Sequence, residues 1–472
     1  MPARPDDQIT RRALLGGGLA AWAALAGEGA WRSPLAAASP LAGARSLGGA
    51  GSGAWAVESF LVAAPRQRGA ATAAGSWAVG APIRATRPFD LVGLAAGSAE
   101  ARKLELRVVG PRGWSRWARL LAAHHHPDGA SAPSAGEPLW TGRAQVLQLR
   151  WQGSAPALRL HCVAVDGRGP ALLPQASAAT AAPLIAPRAA WHAALARPRR
   201  PPAYGAVRFA VVHHTQSLNR YSPGEVPAMI LAIAQFHIDG NGWNDIGYNF
   251  LVDRFGRAWE GRAGGLDLPV IGAHAGGFNG ISTGVAMLGN FMGERVVGGA
   301  FRTLRDLLAW KLAVHGVLVR RRVTVLSGGG RFTAFARGQR VTVARVCGHR
   351  DVDQTDCPGN ALYGELAALR AGVAARQRQL RPRRLTIAAT PLAGAVQLGG
   401  VYMLLSGAPI VGATVLVERL THGRAVALAT ALSDASGAWT ATAAAQPGDL
   451  LRAVTPSPGS RARASSPLVA VA

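Results

Sequence analysis

The chain of 472 residues has only three cysteines, Cys162, Cys347 and Cys357, too few for a disulfide framework. Lysine is rarer still: Lys103 and Lys311 are the only two, so the basic residues are almost wholly arginine. Acidic residues number 25 against 51 Lys+Arg, which leaves a formal net charge of +26. So few carboxylates call for an anionic partner, and on charge alone nucleic acid, anionic lipid and a charged cell envelope all qualify. Codon bias of a GC-rich genome is a second source of arginine excess. Long apolar runs are lacking as well: past the N-terminal segment, no stretch reaches the roughly 20 apolar residues of a spanning helix. Apolar residues nevertheless make up 49% of the chain, enough for several cores and two to four domains.

The N-terminal segment narrows the partners. Thr10-Arg11-Arg12-Ala13-Leu14-Leu15 opens a moderately apolar run to Leu25, and Ala36-Ala37-Ala38 offers small residues for cleavage. Residues 1–38 read as a twin-arginine signal peptide of an exported bacterial protein, with a soluble tail or an anchor as alternatives. The mature chain is then expected in an extracellular, cell-wall or periplasm-like space, without a transmembrane segment. There the anionic cell envelope is the expected partner and nucleic acid is not.

Residues 39–54 form an Ala/Gly/Ser linker. Residues 55–168 alternate apolar and polar side chains over short spans such as Leu104-Glu105-Leu106-Arg107-Val108, the pattern of an antiparallel β-sandwich. In this block Trp114, Trp117, Trp140 and Trp151 suit either a sugar-binding face or a core, and His124-His125-His126 either a metal clip or a solvated loop. A connector at 169–183 leads to a mixed α/β block at 184–380, and 385–472 returns to short strands of a small β-sandwich. The fold class is therefore α/β, with a central mixed β-sheet flanked by helices between two β-sandwich-like accessory domains.

Within the central block, Phe209-Ala210-Val211-Val212 is an apolar strand ending at His213, which fixes an imidazole at a strand end. Ser222 and Glu225 have capping-box spacing, but Pro227 moves the expected helix start to Pro227, with Ile230, Ile233 and His237 on one face. The segment from Asn249 to Glu260 reads as a hairpin. A second helix begins near Phe301, and a last one carries Leu362, Leu366, Leu369 and Val373.

The richest stretch is Val346 to Gly359, where His349 stands eight residues before Cys357 and Thr355 two before it. His213, His349 and Cys357 make a set of two nitrogens and one thiolate. Three protein ligands leave zinc an open position for water, whereas four close it. Cys347, two residues from His349 on an expected strand, is either a fourth ligand or a buried free thiol. His214 should face away from the site. The alternative is two core histidines and an unrelated buried cysteine.

These residues stand among others that carry a resemblance. Pro187-Arg188-Ala189-Ala190-Trp191, Val212-His213-His214-Thr215, Gly242-Trp243-Asn244-Asp245-Ile246-Gly247-Tyr248-Asn249-Phe250, Trp259-Glu260-Gly261-Arg262, Gly272-Ala273-His274, Leu288-Gly289-Asn290-Phe291 and Gly348-His349-Arg350-Asp351 through Cys357-Pro358-Gly359 follow in order. The block resembles the peptidoglycan recognition protein family and the related zinc N-acetylmuramoyl-L-alanine amidases. That resemblance implies one zinc ion per chain on His213, His349 and Cys357, with Tyr248 and Thr355 as catalytic side chains and Glu260 as a proton-transfer candidate. It also implies substrate contacts by His274, Asn279, Asn290, His237 and Trp243, with structural roles in Gly/Asn-rich loops as the alternative, and peptidoglycan muropeptides as partners. The implied reaction is hydrolysis of the amide between N-acetylmuramic acid and L-alanine, and the alternative is a recognition module that binds without turnover. After Arg262 the chain runs Ala263-Gly264-Gly265-Leu266-Asp267, without the aromatic that members reading diaminopimelate stems often carry there.

Overall fold

A computed structural model describes residues 55–64, 75–95, 103–121, 127, 136–153, 158–167, 182–421, 424–456 and 463–472. The expected signal peptide, the 39–54 linker, most of the 169–183 connector and His124-His125-His126 lie outside the described residues. Among the described residues no helix is long and apolar enough to cross a membrane.

Alternation of apolar and polar residues builds the first region. β1 (Ala56–Ala64), β2 (Ile83–Leu94), β3 (Leu104–Gly110), β4 (Leu139–Trp151) and β5 (Leu158–Asp166) are the long strands of an eight-stranded sheet, ordered β1-β5-β2-β4-β3. Every pairing among these five is antiparallel. The two facing sheets expected here are one hydrogen-bonded sheet. Its register slips between Arg84 and Phe89 and again between Phe89 and Leu91, irregularities that bend a strand and let a sheet curl over its own core. Phe89, Leu106, Leu147 and Leu160 fill that core. The tryptophans divide: Trp140 and Trp151 are buried, while Trp114 and the half-buried Trp117 each lie 4.6 Å from the Arg107 guanidinium, stacked on it. They do not make one sugar-binding face.

The central sheet is mixed, as expected. It holds β6 (Ile185–Ala186), β7 (Phe209–His214), β8 (Phe250–Val252), β9 (Ala258–Glu260), β10 (Ser282–Met287) and, after a separate hairpin of β11 (Arg322–Leu326) and β12 (Arg340–Ala344), β13 (Val346–Gly348). The order is β13-β7-β10-β8-β9-β6. β7 runs parallel to both neighbours, and β8 with β9 is the antiparallel hairpin expected from the sequence. One face carries α2 (Gly298–Val314) and α3 (Asn360–Leu380), whose Leu304, Leu308, Leu312, Leu362, Leu366 and Leu369 pack with Val212, Phe250 and Val285.

The other face holds α1 (Val226–Gln235), whose residues from Val226 to Ala234 are all buried. A helix apolar all round must be covered all round. Leu251, Ala286 and Leu288 of the central region and Leu91, Trp140, Val163 and Val165 of the N-terminal sheet join α1 in a single core. The N-terminal region is therefore welded to the central fold through α1. Its start also differs from expectation: Ser222 and Glu225 do form a capping box, around a 3-10 turn at Pro223–Glu225. Pro227 then falls in the first helical turn, where no backbone donor is needed. Past Gln235 the backbone widens into a π turn, Phe236–Gly240.

After α3 come β14 (Arg383–Leu385), β15 (Ala388–Leu392), β16 (Ala395–Leu404), β17 (Thr414–Thr421), β18 (Arg424–Leu432), β19 (Ala438–Ala443) and β20 (Leu450–Val454). With the short strand Val469–Ala470 they make two four-stranded sheets that share a core of Leu398, Tyr402, Val415, Val417, Trp439 and Leu451. Buried Arg452 bridges Glu418 at 2.7 Å and Asp267 of the central region at 3.1 Å, tying this region down.

Candidate metal centre

β7 and β13 are parallel neighbours, so both chains leave the sheet at the same edge. His213 is the penultimate residue of β7, and His349 opens a 3-10 turn directly after β13. Alternation along β7 sends His213 to the α1 side of the sheet and His214 to the α2 and α3 side. There His214 Nδ1 accepts a hydrogen bond from the Phe291 N–H at 3.2 Å. The chain beyond His349 loops back: the Arg350 N–H bonds the Cys357 carbonyl at 2.9 Å, and the Thr355 hydroxyl accepts the Cys357 N–H at 3.1 Å. This loop brings the Cys357 thiol beneath the strand end.

His213, His349 and Cys357 converge, with candidate ligand atoms all within 4.8 Å of one another and all three residues buried. Cys357 Sγ lies 3.8 Å from His213 Nδ1. Tetrahedral zinc with Zn–S near 2.3 Å and Zn–N near 2.05 Å places such a pair about 3.6 Å apart. The donor set thus fits zinc in both chemistry and spacing. The remaining imidazole nitrogens are held from behind. His349 Nε2 bonds the Asp353 carboxylate at 2.9 Å, and that same oxygen accepts the Gly276 N–H at 2.8 Å. His213 Nε2 shares a hydrogen bond with His274 Nδ1 at 3.1 Å. Such partners fix the tautomer and leave Nδ1 of each ring to face a bound metal.

Electrostatics agree with a ligand role. Burial pushes His349 down to about 3, so its ring is neutral, the form that binds a metal. Burial pushes the Cys357 thiol up, so metal binding must displace its proton. Tyr248, fully buried, stands against His213 with ring centres 5.4 Å apart. Its hydroxyl is raised by burial first and then by the charges of Glu137 and Cys357.

Several expected roles shift. His274 is a support behind His213 and not a groove residue: it is fully buried, in space that Gly272 and Gly284 leave open. A Cβ on either glycine would come within 2.5 Å of its ring. Asn279 is also internal, its side-chain oxygen accepting the N–H groups of His274 and Ala275. His237 is buried edge-on to Tyr248, packed at a tilt against buried Trp243 and accepting the Gly247 N–H at 3.1 Å. Of the five expected substrate contacts only Asn290 keeps partial exposure. Glu260 is committed elsewhere, its carboxylate accepting the Arg188 N–H at 3.2 Å. Cys347 packs with Phe209, Val211 and Phe278, away from the cluster, so it does not close the site. It and Cys162 are free thiols.

Two acidic residues escaped the sequence reading. Asp353 sits four residues after His349, a spacing that a turn rather than a strand brings together. Glu137 comes from the N-terminal sheet, more than two hundred residues away from Cys357. It is buried, and its charge acts on both Tyr248 and Cys357. The same sheet meets two of the loops that surround the cluster. The Leu218 N–H bonds the Trp140 carbonyl at 3.4 Å, and Arg119 pairs with Asp356 at 3.2 Å.

Residues 203–360 match the family model described as N-acetylmuramoyl-L-alanine amidase, and residues 50–182 match that of the Rv3811 N-terminal galactose-binding domain-like family. Peptidoglycan-recognition protein SC2 of Drosophila simulans is 30% identical over 158 residues, 34% of this chain and 71% of that protein. N-acetylmuramoyl-L-alanine amidase of Homo sapiens is 33% identical over 188 residues, 38% of this chain and only 27% of that protein. Among solved structures, peptidoglycan recognition protein-LE in complex with tracheal cytotoxin is 30% identical, covering 39% of this chain and 92% of that one with a TM-score of 0.31.

Proposed function

We propose, from the premise that the chain belongs to the peptidoglycan recognition protein and N-acetylmuramoyl-L-alanine amidase family, that it is a zinc-dependent hydrolase of bacterial peptidoglycan. The bond cut is the amide between N-acetylmuramic acid and L-alanine. The observation that carries this reading is the complete donor set: His213, His349 and Cys357 stand together, buried, with spacing suited to zinc.

When bound, zinc would polarise the scissile carbonyl and supply a nucleophile at neutral pH. The protein's own groups do the rest. Asp353 and His274 hold the two imidazoles in register. Tyr248, protonated because burial holds its hydroxyl well above the ordinary value, offers a hydrogen bond to the oxyanion of the tetrahedral intermediate. Thr355 fixes the turn that carries Cys357. With Glu260 bound to Arg188, proton transfer has no carboxylate from the central motif. Residues 1–38 direct export by the twin-arginine route, and the chain then works on the wall outside the cytoplasm.

Mass spectrometry of products from defined muropeptides tests the reading. Zinc-loaded protein should release intact stem peptides with a free L-alanine amino terminus, and chelator should stop this. Tight muropeptide binding with no product in either condition would replace the hydrolase with a recognition module.

A further inference from the structure

The catalytic reading leaves most of the arginine unused. Many arginines elsewhere are neutralised in place: Arg188 by Asp245, Arg257 by Asp253, Arg143 by Asp90 and Arg452 by Glu418 and Asp267. One group is not. A cleft of about 580 Å³ lies between the start of β11 and α3, lined by Arg320, Arg321, Arg322, Arg370 and Arg378 with Val319, Ala344 and Ala374. Arg345 follows the lining residue Ala344 and donates to the Arg208 carbonyl at 2.7 Å, so both stand beside the cleft. Among the described residues, none of these seven arginines forms an ion pair with a carboxylate. Their recorded hydrogen bonds go to backbone carbonyls: Arg322 to Thr342, Arg345 to Arg208 and Arg370 to Val346.

Codon bias scatters arginine over a surface. It does not set Arg320-Arg321-Arg322 against Arg370 and Arg378 around one concavity whose lining holds no acid. Guanidinium groups match oxyanions by paired N–H donors, and a row of them in a cleft matches a row of oxyanions. A concave site takes a chain, whereas a membrane surface calls for a flat or convex face. The location also matters. Arg208 precedes β7 and Arg345 precedes β13, so both lie at the ends of these parallel strands opposite His213 and His349. Five residue steps separate Arg208 from His213, about 16 Å of strand. The cleft is thus outside the metal centre, and a ligand there leaves the centre open.

We infer that this arginine cleft binds a linear polyanion, anchoring the chain while the metal centre works at the opposite edge of the sheet. This does not rest on the hydrolase reading, because binding can be measured without turnover. The test uses the full chain and two soluble probes, poly(glycerol phosphate) and polygalacturonate, with vesicles of phosphatidylglycerol as the third arm. Arg320→Glu/Arg321→Glu/Arg378→Glu changes three exposed side chains that make no recorded hydrogen bond. Arg112→Glu/Arg116→Glu/Arg424→Glu, in the N- and C-terminal regions, is the charge-matched control. The cleft variant should lose at least about tenfold in affinity for the tighter polymer, and the slope of log affinity against log salt should fall by about 2. The control should lose less than about threefold, and cleavage of a small neutral muropeptide should be unchanged in both. Equal losses in cleft variant and control would overturn the site, as would binding to vesicles but to neither polymer. The tighter of the two polymers identifies the oxyanion.

Discussion

Replacing Asp353 by asparagine isolates what the carboxylate does for the metal centre. Its Oδ2 accepts from His349 Nε2 at 2.9 Å and from the Gly276 N–H at 2.8 Å, with both side chains fully buried. Because both bonds land on one oxygen, the amide oxygen of the introduced side chain can keep both. The substitution therefore removes charge and leaves the scaffold. A hydrogen bond to a charged group is worth about 1.5–3 kcal/mol, against about 1 kcal/mol for a neutral pair. The difference, about 0.5–2 kcal/mol, overlaps the lower part of the 10–100-fold loss of metal affinity typical of such orienting partners, so zinc should bind about tenfold more weakly. Competition against a zinc chelator at pH 7 reads the affinity, and thermal unfolding in chelator reads the metal-free scaffold. The expected pattern is weaker zinc with little change in the metal-free melting temperature. Unchanged zinc affinity would refute the argument, and a large fall in metal-free stability would show that Asp353 serves the loop rather than the metal.

Other outcomes follow from the same geometry. Cys357→Ser should abolish turnover by weakening zinc at least about tenfold, whereas Tyr248→Phe should retain zinc and lower kcat by about 10²–10³, as removal of one oxyanion donor does; a Tyr248→Phe enzyme at full rate would remove that hydroxyl from the reaction. Trp140→Ala should cost about 3–5 kcal/mol in denaturant unfolding, because the side chain sits in the core shared with α1. Residues 184–380 expressed alone expose the N-terminal side of α1, so they should unfold at lower denaturant than the full chain. The pH dependence has a fixed sign. His237, His274 and His349 are held down to about 3 in the fold, chiefly by burial, against an ordinary value of 6.5. The unfolded chain binds the extra protons, so metal-free protein should lose stability as pH falls from about 6.5 toward 3, by up to about 1.4 kcal/mol per pH unit for each ring. A melting temperature flat across that window would refute the neutral assignments.

Much of the site is legible because it is local or carried by strong residue types. His213 at the end of an apolar strand, and the His349, Thr355 and Cys357 run, signal a metal ligand set without coordinates. Alternation along β7 places His214 on the other face. What misled was exposure. Gly272, His274 and Asn279 sit in a glycine-rich stretch that reads as a groove loop, yet the missing Cβ atoms make room for a buried imidazole. Sequence shows that glycine leaves space; only packing shows what fills it.

Residue order by itself determined the mixed central sheet, its helices, the three candidate ligands and the family resemblance, since these follow from periodicity and from side-chain chemistry at short spacing. Tertiary structure alone decided the rest. It made the N-terminal sheet part of the central fold through α1, brought Glu137 near Tyr248 and Cys357, set Asp353 behind His349 and tied Glu260 to Arg188. It also brought the Arg320-Arg321-Arg322 run against Arg370 and Arg378 of α3 around one cleft. Each of these depends on contacts between residues far apart in the chain, where burial and approach are set by how sheets and helices stack and leave no mark in local pattern.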